Sequence, residues 1–247
     1  MNITILNFDT IESTNTEAIN QAKLGADEGL CVIAREQTHG RGRHGRVWVS
    51  PKDEGLYFSI VLRPKLELQY IPLITLAAGI AVHETLEGFG VSSDIKWVND
   101  ILVDGRKIGG ILGETTETPK GLAVILGIGI NVANQSFPPV IETKATSLRD
   151  HSVNGISPEV LLQPLIKNIT KAYEMLLSPN GLQQVIDQWG KRSSYFKGKS
   201  VKVILEGSIV RGVTDGLEPS GALRVITDEG SVRLIQAGHV ELLREAE

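Results

Sequence analysis

Two hydrophobic periods alternate along the first two thirds of the chain, and one of them takes over in the last third. Leu30 to Arg35 and Leu56 to Arg63 are apolar, β-branched runs that read as strands, the second ended by Pro64. Ile71 to Phe89 is apolar almost throughout and predicts a buried helix, while His83, Glu84 and Glu87 argue against a membrane span. Thr14 and Glu17 have the spacing of a capping box, which opens a helix over about Asn15 to Ala22 that ends near Gly25. Asp94 to Val132 holds three or four short strands between the turn signals Asn99-Asp100, Asp104-Gly105 and Pro119 to Gly121. Residues 133–157 are polar and loop-like. Ser157-Pro158 then starts a helix with Leu162, Leu165, Ile166, Ile169, Tyr173, Leu176 and Leu177 on one stripe, and a second helix follows near Leu182 to Trp189.

After Gly198 only short β-rich runs remain: Val201 to Leu205, Ile209 to Thr214, Leu223 to Ile226, Val232 to Ile235 and Val240 to Leu243. The turns Glu206-Gly207, Ser220-Gly221 and Glu229-Gly230 separate them, a pattern that predicts a small barrel. The expected organisation is therefore a mixed α and β unit over residues 1–195 and a β unit over residues 196–247.

Composition removes several classes of function. With 41% hydrophobic and 22% charged residues in 247, the chain is an ordinary globular sequence and not a disordered one. Its net charge of −4 lacks the broad basic footprint of a nucleic-acid binder, so no DNA partner is expected. The lone Cys31 cannot form an internal disulfide and sits in an apolar run. The start of the chain shows neither a signal peptide nor a membrane anchor, which makes the cytoplasm the expected location.

The positive charge is instead local. GRGRHGR, Gly40 to Arg46, sets three arginines among three glycines, with Trp48 close behind, and such a loop can fold around a small anion. Gly40, Gly42 and Gly45 also match G-x-G-x-x-G, but that fingerprint needs a following helix, and Val47 to Ser50 reads extended. KWVND, Lys96 to Asp100, and RKIGGIL, Arg106 to Leu112, lie on either side of the Asp104-Gly105 hairpin, which returns Lys107 beside Asn99 and Asp100. In GIGIN, Gly127 to Asn131, alternate glycines strip one strand face of side chains and leave room for a narrow ligand or a closely crossing helix. The five histidines show no metal-ligand spacing.

These motifs, in this order and together with STN at Ser13 to Asn15, EQTHGRGRHGRVW at Glu36 to Trp48 and GALRV at Gly221 to Val225, resemble the biotin protein ligase family along nearly the whole chain. Because the chain starts just before the STN motif, it looks like the short form without an N-terminal DNA-binding domain. The resemblance implies an α+β fold: a central mixed β-sheet with flanking helices, like that of class II aminoacyl-tRNA synthetases, and a C-terminal SH3-like β-barrel. It implies ATP-dependent adenylation of biotin to biotinyl-5′-AMP, followed by transfer to a lysine of a biotin carboxyl-carrier protein domain, with Mg²⁺ arriving on ATP. A homodimer is expected as well. By this resemblance Arg43, Lys107 and Asp100 are the catalytic group. Ser13, Thr14, Asn15, Gln37, Gly40, Arg41, Gly42, Arg43, Lys107, Gly110, Gly127 and Gly129 bind biotin. Arg43, Arg46, Trp48, Asn99, Lys107 and Asn131 bind ATP or the adenylate. Trp48 covers the adenine or the closed loop, Asn99 offers an amide pair to the adenine edge, and Asp100 orients Mg²⁺ or the incoming lysine. Val98 departs from the family's proline in KWPND without removing a chemical group. Two alternatives stand beside this reading: a lipoate-protein ligase, which shares the adenylation chemistry but lacks the GRGRHGR loop, and a non-catalytic biotin-binding regulator, which would want a DNA-binding segment.

Overall fold

A computed structural model describes residues 1–133, 137, 139, 141–151, 155–205 and 207–242. Glu206, Leu243 and part of the polar stretch 133–157 lie outside these residues. The larger unit is built on a seven-stranded sheet of β1 (Thr4–Ile11), β2 (Leu30–Gln37), β3 (Gly55–Leu62), β4 (Asp94–Lys96), β5 (Asp100–Val103), β6 (Arg106–Thr118) and β7 (Gly121–Asn131), in the spatial order β1-β2-β3-β7-β6-β5-β4. Only β1 and β2 run parallel, which makes the sheet mixed. Of the three or four short strands expected from Asp94 onward there are four, but β6 and β7 are long, at 13 and 11 residues. β1 was not among the expected elements. It is an edge strand with no clean alternation of burial, so it leaves little periodic signal.

Strand β7 shows how the two faces are divided. Val124, Leu126, Ile128 and Ile130 point into the main core, where β3 contributes Phe58, Ile60 and Leu62. Helices α2 (Leu73–Glu87), α3 (Pro158–Leu177) and α4 (Gly181–Gly190) cover this side, and α2, apolar all round, is sandwiched between the sheet and the other two. The buried stripe of α3 contains Leu161, Leu165, Ile166, Ile169, Tyr173 and Leu176, whereas Leu177, expected on it, is exposed at the helix end. On the opposite face Ala123 and Ile125 of β7 join Val61 of β3 and Val32 of β2 under Ala18 and Ala22 of α1 (Thr14–Lys23). Farther along that face β7 presents Gly127, Gly129 and Asn131, and the helix cover stops.

Helix α1 begins one residue earlier than the capping-box reading implies. Ser13 is the N-cap and accepts weakly from Thr16 N at 3.5 Å, and Glu17 instead accepts from Gln21 Nε2 at 2.7 Å.

The C-terminal unit is a five-stranded antiparallel sheet of β8 (Lys197–Leu205), β9 (Ser208–Leu217), β10 (Leu223–Thr227), β11 (Val232–Ile235) and β12 (His239–Leu242), ordered β11-β10-β9-β8-β12. Among the described residues no ladder joins its edge strands β11 and β12. Its inward residues Val201, Val203, Leu223, Val225 and Val240 continue the main core. Trp97 Nε1 donates to Gly221 O at 3.0 Å, and Gly221 lies against Leu73 and Leu76 of α2. No helix among the described residues is long and apolar enough to cross a membrane.

Candidate active site

A cavity of about 900 Å³ opens on the bare half of the sheet. Gly127 of β7 and Leu112 of β6 line it in one cross-strand row, in register with Ser59 of β3, and Gly129 and Gly110 line it in the next, in register with Tyr57. Glycine is required in both rows for want of space. A Cβ on Gly127 would sit 2.0 Å from Asn15 Oδ1, and one on Gly129 would sit 2.5 Å from the Trp48 ring. Of the two alternatives that GIGIN leaves open, a narrow ligand or a closely crossing helix, the helix is present at Gly127. The first residues of α1 press on Gly127, and the trough continues past them.

One end of the trough is a closed set of hydrogen bonds. Gln37 Oε1 accepts from Thr14 N at 2.8 Å and from Thr14 Oγ1 at 3.1 Å, while Gln37 Nε2 donates to Ser50 Oγ at 2.8 Å. Ser59 Oγ lies 2.8 Å from Thr14 Oγ1 and 2.6 Å from Asn15 Oδ1. Asn15 Nδ2 donates to Glu114 Oε2 at 2.8 Å, and the other oxygen of Glu114 meets Arg41 Nη2 at 2.6 Å. Ser13, Thr14, Asn15 and Ser59 are all buried, so these bonds offset desolvation that would otherwise cost about 1–3 kcal/mol per unpaired group.

The GRGRHGR loop folds back on itself over the trough. Gly42 N donates to Arg46 O at 2.7 Å and Trp48 N to Gly40 O at 2.9 Å, and a short turn over Arg43–Gly45 carries His44 at φ 54. Gly40 is packed so closely under Trp48 O that a Cβ there would lie 2.2 Å away. The indole of Trp48 rests on Gly129 and Gly110, with Lys107 Nζ 5.4 Å from its ring centre. Its Nε1 is buried without a hydrogen-bond partner.

Cations dominate the other end. The hairpin does return Lys107 to Asp100: Nζ lies 2.5 Å from Oδ1, and Lys96 Nζ is 3.4 Å from Oδ2. Burial alone would raise the Asp100 carboxyl, but Lys107 and Lys96 outweigh it and hold the group below its ordinary value. Arg43 Nη1 reaches Asn99 Oδ1 at 3.4 Å. Burial lowers the Arg43 guanidinium, Asp100 opposes that and Arg46 adds to it. Asn99 Nδ2 donates to Ile111 O at 2.8 Å, so both ends of this carboxamide face protein groups and the expected amide pair for a base edge is not free in this arrangement. Asn131 is likewise tied, its Nδ2 donating to Thr146 O at 3.0 Å. Among the described residues no group of three or more His, Cys, Asp or Glu could hold a metal ion, and both oxygens of Asp100 face lysines, so this carboxylate does not fit a protein-held Mg²⁺. The Cys31 thiol is pushed up to about 12 by burial and is far from reactive.

Comparison with known proteins agrees with this geometry. The family profile described as biotin/lipoate A/B protein ligase matches residues 7–131, and that of the biotin protein ligase C-terminal domain matches residues 196–243. The bifunctional ligase/repressor BirA of Bacillus spizizenii is 37% identical over 241 residues, covering 95% of this chain and 72% of BirA. The chain belongs to the biotin protein ligase family. The biotin–[acetyl-CoA-carboxylase] ligase of Paracoccus denitrificans is 31% identical over 86% of this chain and 90% of its own length. Among solved structures, a biotin protein ligase from Aquifex aeolicus in complex with biotin and ATP is similar with a TM-score of 0.83 and 28% identity, covering 98% of this chain and 99% of that one. The chain is thus an enzyme of the biotin ligase kind, with the mixed sheet, flanking helices and C-terminal β unit that the motifs imply.

In this biotin ligase the expected site residues gather around a single cavity, lined among others by Ser13, Gln37, Arg43, Asn99, Lys107 and Gly129. Gly40 lies behind the loop, under Trp48 and Ser50. Five further groups were not foreseen. Ser59 and Ser50 complete the hydrogen-bonded end, Glu114 joins the helix to the loop, and Lys96 adds a second ammonium to Asp100. His239 enters the cavity from the C-terminal unit. Burial, then Lys96 and Arg46, keep its imidazole below the ordinary value against the pull of Asp100 and Glu241. Lys96 and Glu114 stand inside or just beyond quoted motifs, whereas Ser59 and His239 carry no local signal.

Proposed function

We propose that the chain adenylates biotin with ATP and then passes the biotinyl group to a lysine of a biotin carboxyl-carrier protein domain. The observation that carries this reading is the glycine trough, which leads from a hydrogen-bonded end matched to a ureido ring to an end where Lys96 and Lys107 flank the Asp100 carboxylate and Arg43 and Arg46 line the same cavity. In the first step a biotin carboxylate oxygen attacks the α-phosphorus of ATP and pyrophosphate leaves with the electron pair of the broken P–O bond. Two anions must meet, and the cations lower the repulsion between them. In the second step the lysine amine attacks the acyl carbon, the bond to AMP breaks, and the nitrogen sheds its proton. Mg²⁺ enters, on this reading, as a companion of the nucleotide.

Ser13, Thr14, Asn15 and Gln37 read the ring, and Arg41 with Gly42 closes over it. Trp48 walls the middle of the trough beside Gly110, Gly127 and Gly129. Asn99 and Asn131 hold the loop arginine and the strand end, so they shape the nucleotide side indirectly. A dithiolane ring offers the polar end nothing to bond, which disfavours lipoate. The carrier domain has a place to add a strand: on the β5 side the pairing of β6 stops at Gly110, apart from the bond from Ile111 N to Asn99 O, and its outer edge from Leu112 to Thr118 is open among the described residues. The same edge would serve a homodimer, and the residue division 1–195 and 196–247 fits a ligand-binding unit with an accessory β unit.

The test is to incubate the chain with labelled biotin, ATP and a purified carrier domain. Label should appear on the carrier only with ATP present, accompanied by biotin-dependent pyrophosphate release. Absence of both would overturn the proposal.

A further inference from the structure

We propose that Glu114 is a positioning residue that fixes the proton order of the hydrogen-bonded end and ties the arginine loop to it. This inference rests on biotin being the ligand. Glu114 lies on β6 opposite Ile125, on the trough side of the sheet. Its carboxylate can only accept, and it receives Asn15 Nδ2 on one oxygen and Arg41 Nη2 on the other, at 2.8 and 2.6 Å.

The first of these contacts has consequences along the whole network. Since Asn15 must turn its NH₂ toward Glu114, its Oδ1 faces Ser59, 2.6 Å away. A carbonyl oxygen cannot donate, so the single Ser59 proton goes there. The Thr14 hydroxyl then has one proton and two acceptors, Ser59 Oγ at 2.8 Å and Gln37 Oε1 at 3.1 Å. Gln37 is fixed independently, because Thr14 N can only donate and therefore demands Gln37 Oε1. The Ser59 proton thus points toward Asn15 and Glu114, the Thr14 proton stays within the set in either position, and Thr14 Oγ1 at the cavity is left as an acceptor for a ligand N–H. A ureido ring has such N–H groups and a dithiolane has none.

The second contact concerns the loop. Arg41 pairs with Glu114, an anchor on the sheet 73 positions along the chain. One carboxylate therefore sets both the polarity of the ring-reading end and the position of the loop that covers it. Replacing it by an amide of the same shape removes the acceptor-only constraint and leaves the NH₂ of Asn15 held only by the longer contact with Leu112 O at 3.4 Å, so Asn15 can flip and the proton order can reverse.

The experiment compares wild type with Glu114→Gln, Glu114→Asp and, as a control on the exposed face of α3, Glu174→Gln. Biotin Kd is measured by calorimetry, and biotin KM, kcat and the preference for biotin over lipoate are taken from pyrophosphate release. For Glu114→Gln the expected result is a rise of about tenfold in biotin Kd and KM, the usual scale of one hydrogen bond to a charged group, with kcat nearly unchanged and the preference reduced. Glu174→Gln should match wild type, and Glu114→Asp, still an acceptor only, should keep more of the preference than Glu114→Gln does. Unchanged biotin affinity in a folded Glu114→Gln protein, or equal loss in kcat and in affinity for both ligands, would overturn the proposal. If Glu114→Gln does not fold, Glu114→Asp decides, and loss of the preference in that folded variant counts against it. A wild-type chain that binds no biotin would instead defeat the functional reading beneath.

Discussion

The two ends of the trough solve opposite problems with the same kinds of residue. At the end formed by Thr14, Asn15, Gln37, Ser59 and Glu114, donors and acceptors are matched to one another and the only full charges, Glu114 and Arg41, are paired. At the other end Lys96 and Lys107 flank Asp100 while Arg43 and Arg46 line the same cavity, and positive charge is left in excess. A network whose spare acceptor, Thr14 Oγ1, faces the cavity discriminates, because a ligand without an N–H leaves that buried group unpaired. An unsaturated cluster accelerates, because it gains most when negative charge develops in the transition state. The lesson is that specificity and rate are separable in this site, and that substitutions at the two ends should have different kinetic signatures.

The largest effect is expected at the charged end. Lys107→Ala or Arg43→Ala should slow biotin-dependent pyrophosphate release by about 10²- to 10³-fold, the usual loss on deleting one transition-state donor. Biotin affinity measured without ATP should change much less. If both variants lost affinity and kept their rate, the division between the ends would be wrong.

An intermediate effect is expected where the saturated end meets the glycine trough. Gly127→Ala drives a methyl group against Asn15 Oδ1, and either the helix start or the sheet must shift. Overpacking of this kind costs about 1–3 kcal/mol, which a urea titration would read as a lower midpoint with an unchanged slope. Biotin affinity should fall together with stability, since the displaced group belongs to the ring-reading end. A variant with wild-type stability and affinity would mean that this end is softer than its hydrogen bonds imply.

How much of this was legible in the sequence follows from how local each feature is. α2, the Asp104-Gly105 hairpin and the five C-terminal strands announced themselves by period and turn chemistry over a few residues. The pairing of Lys107 with Asp100 was foreseen because one tight hairpin connects them. β1 was not, because an edge strand half open to solvent lacks alternation. Ser59 looks like any polar residue in a buried strand, and only the register that sets it beside Gly127, under Asn15, reveals its part. His239 reaches the cavity across the junction of two units, information that no local window contains. The motif order pointed to the family. The assignment of Asn99 to a base edge did not anticipate that Ile111 O and Arg43 would engage its amide.

The smallest expected effect is a pH dependence that separates the two kinds of charge at the cationic end. His239 has its folded value below the ordinary 6.5 through burial, Lys96 and Arg46, opposed by Asp100 and Glu241. His83 on α2 is lowered too, by burial first and also by Arg192, with Glu87, Glu84 and Ser93 pulling the other way. Between those folded values and 6.5 the unfolded chain binds more protons than the folded one, so stability should decline as the pH falls through this window. Asp100 contributes nothing there. Its folded value lies below the ordinary 3.8, so the stability it supplies is intact in this range and is lost only as the pH falls through that lower value. Melting temperatures followed from pH 7 to about 5 should therefore drift down, and more shallowly in His239→Asn than in wild type. The change should be smaller than that of Gly127→Ala, because His239 is one third exposed and its charge is partly screened. An identical slope in the two proteins would show that this imidazole is not held neutral by the cations around it, and that the excess of positive charge is weaker than the arrangement of Lys96 and Arg46 implies.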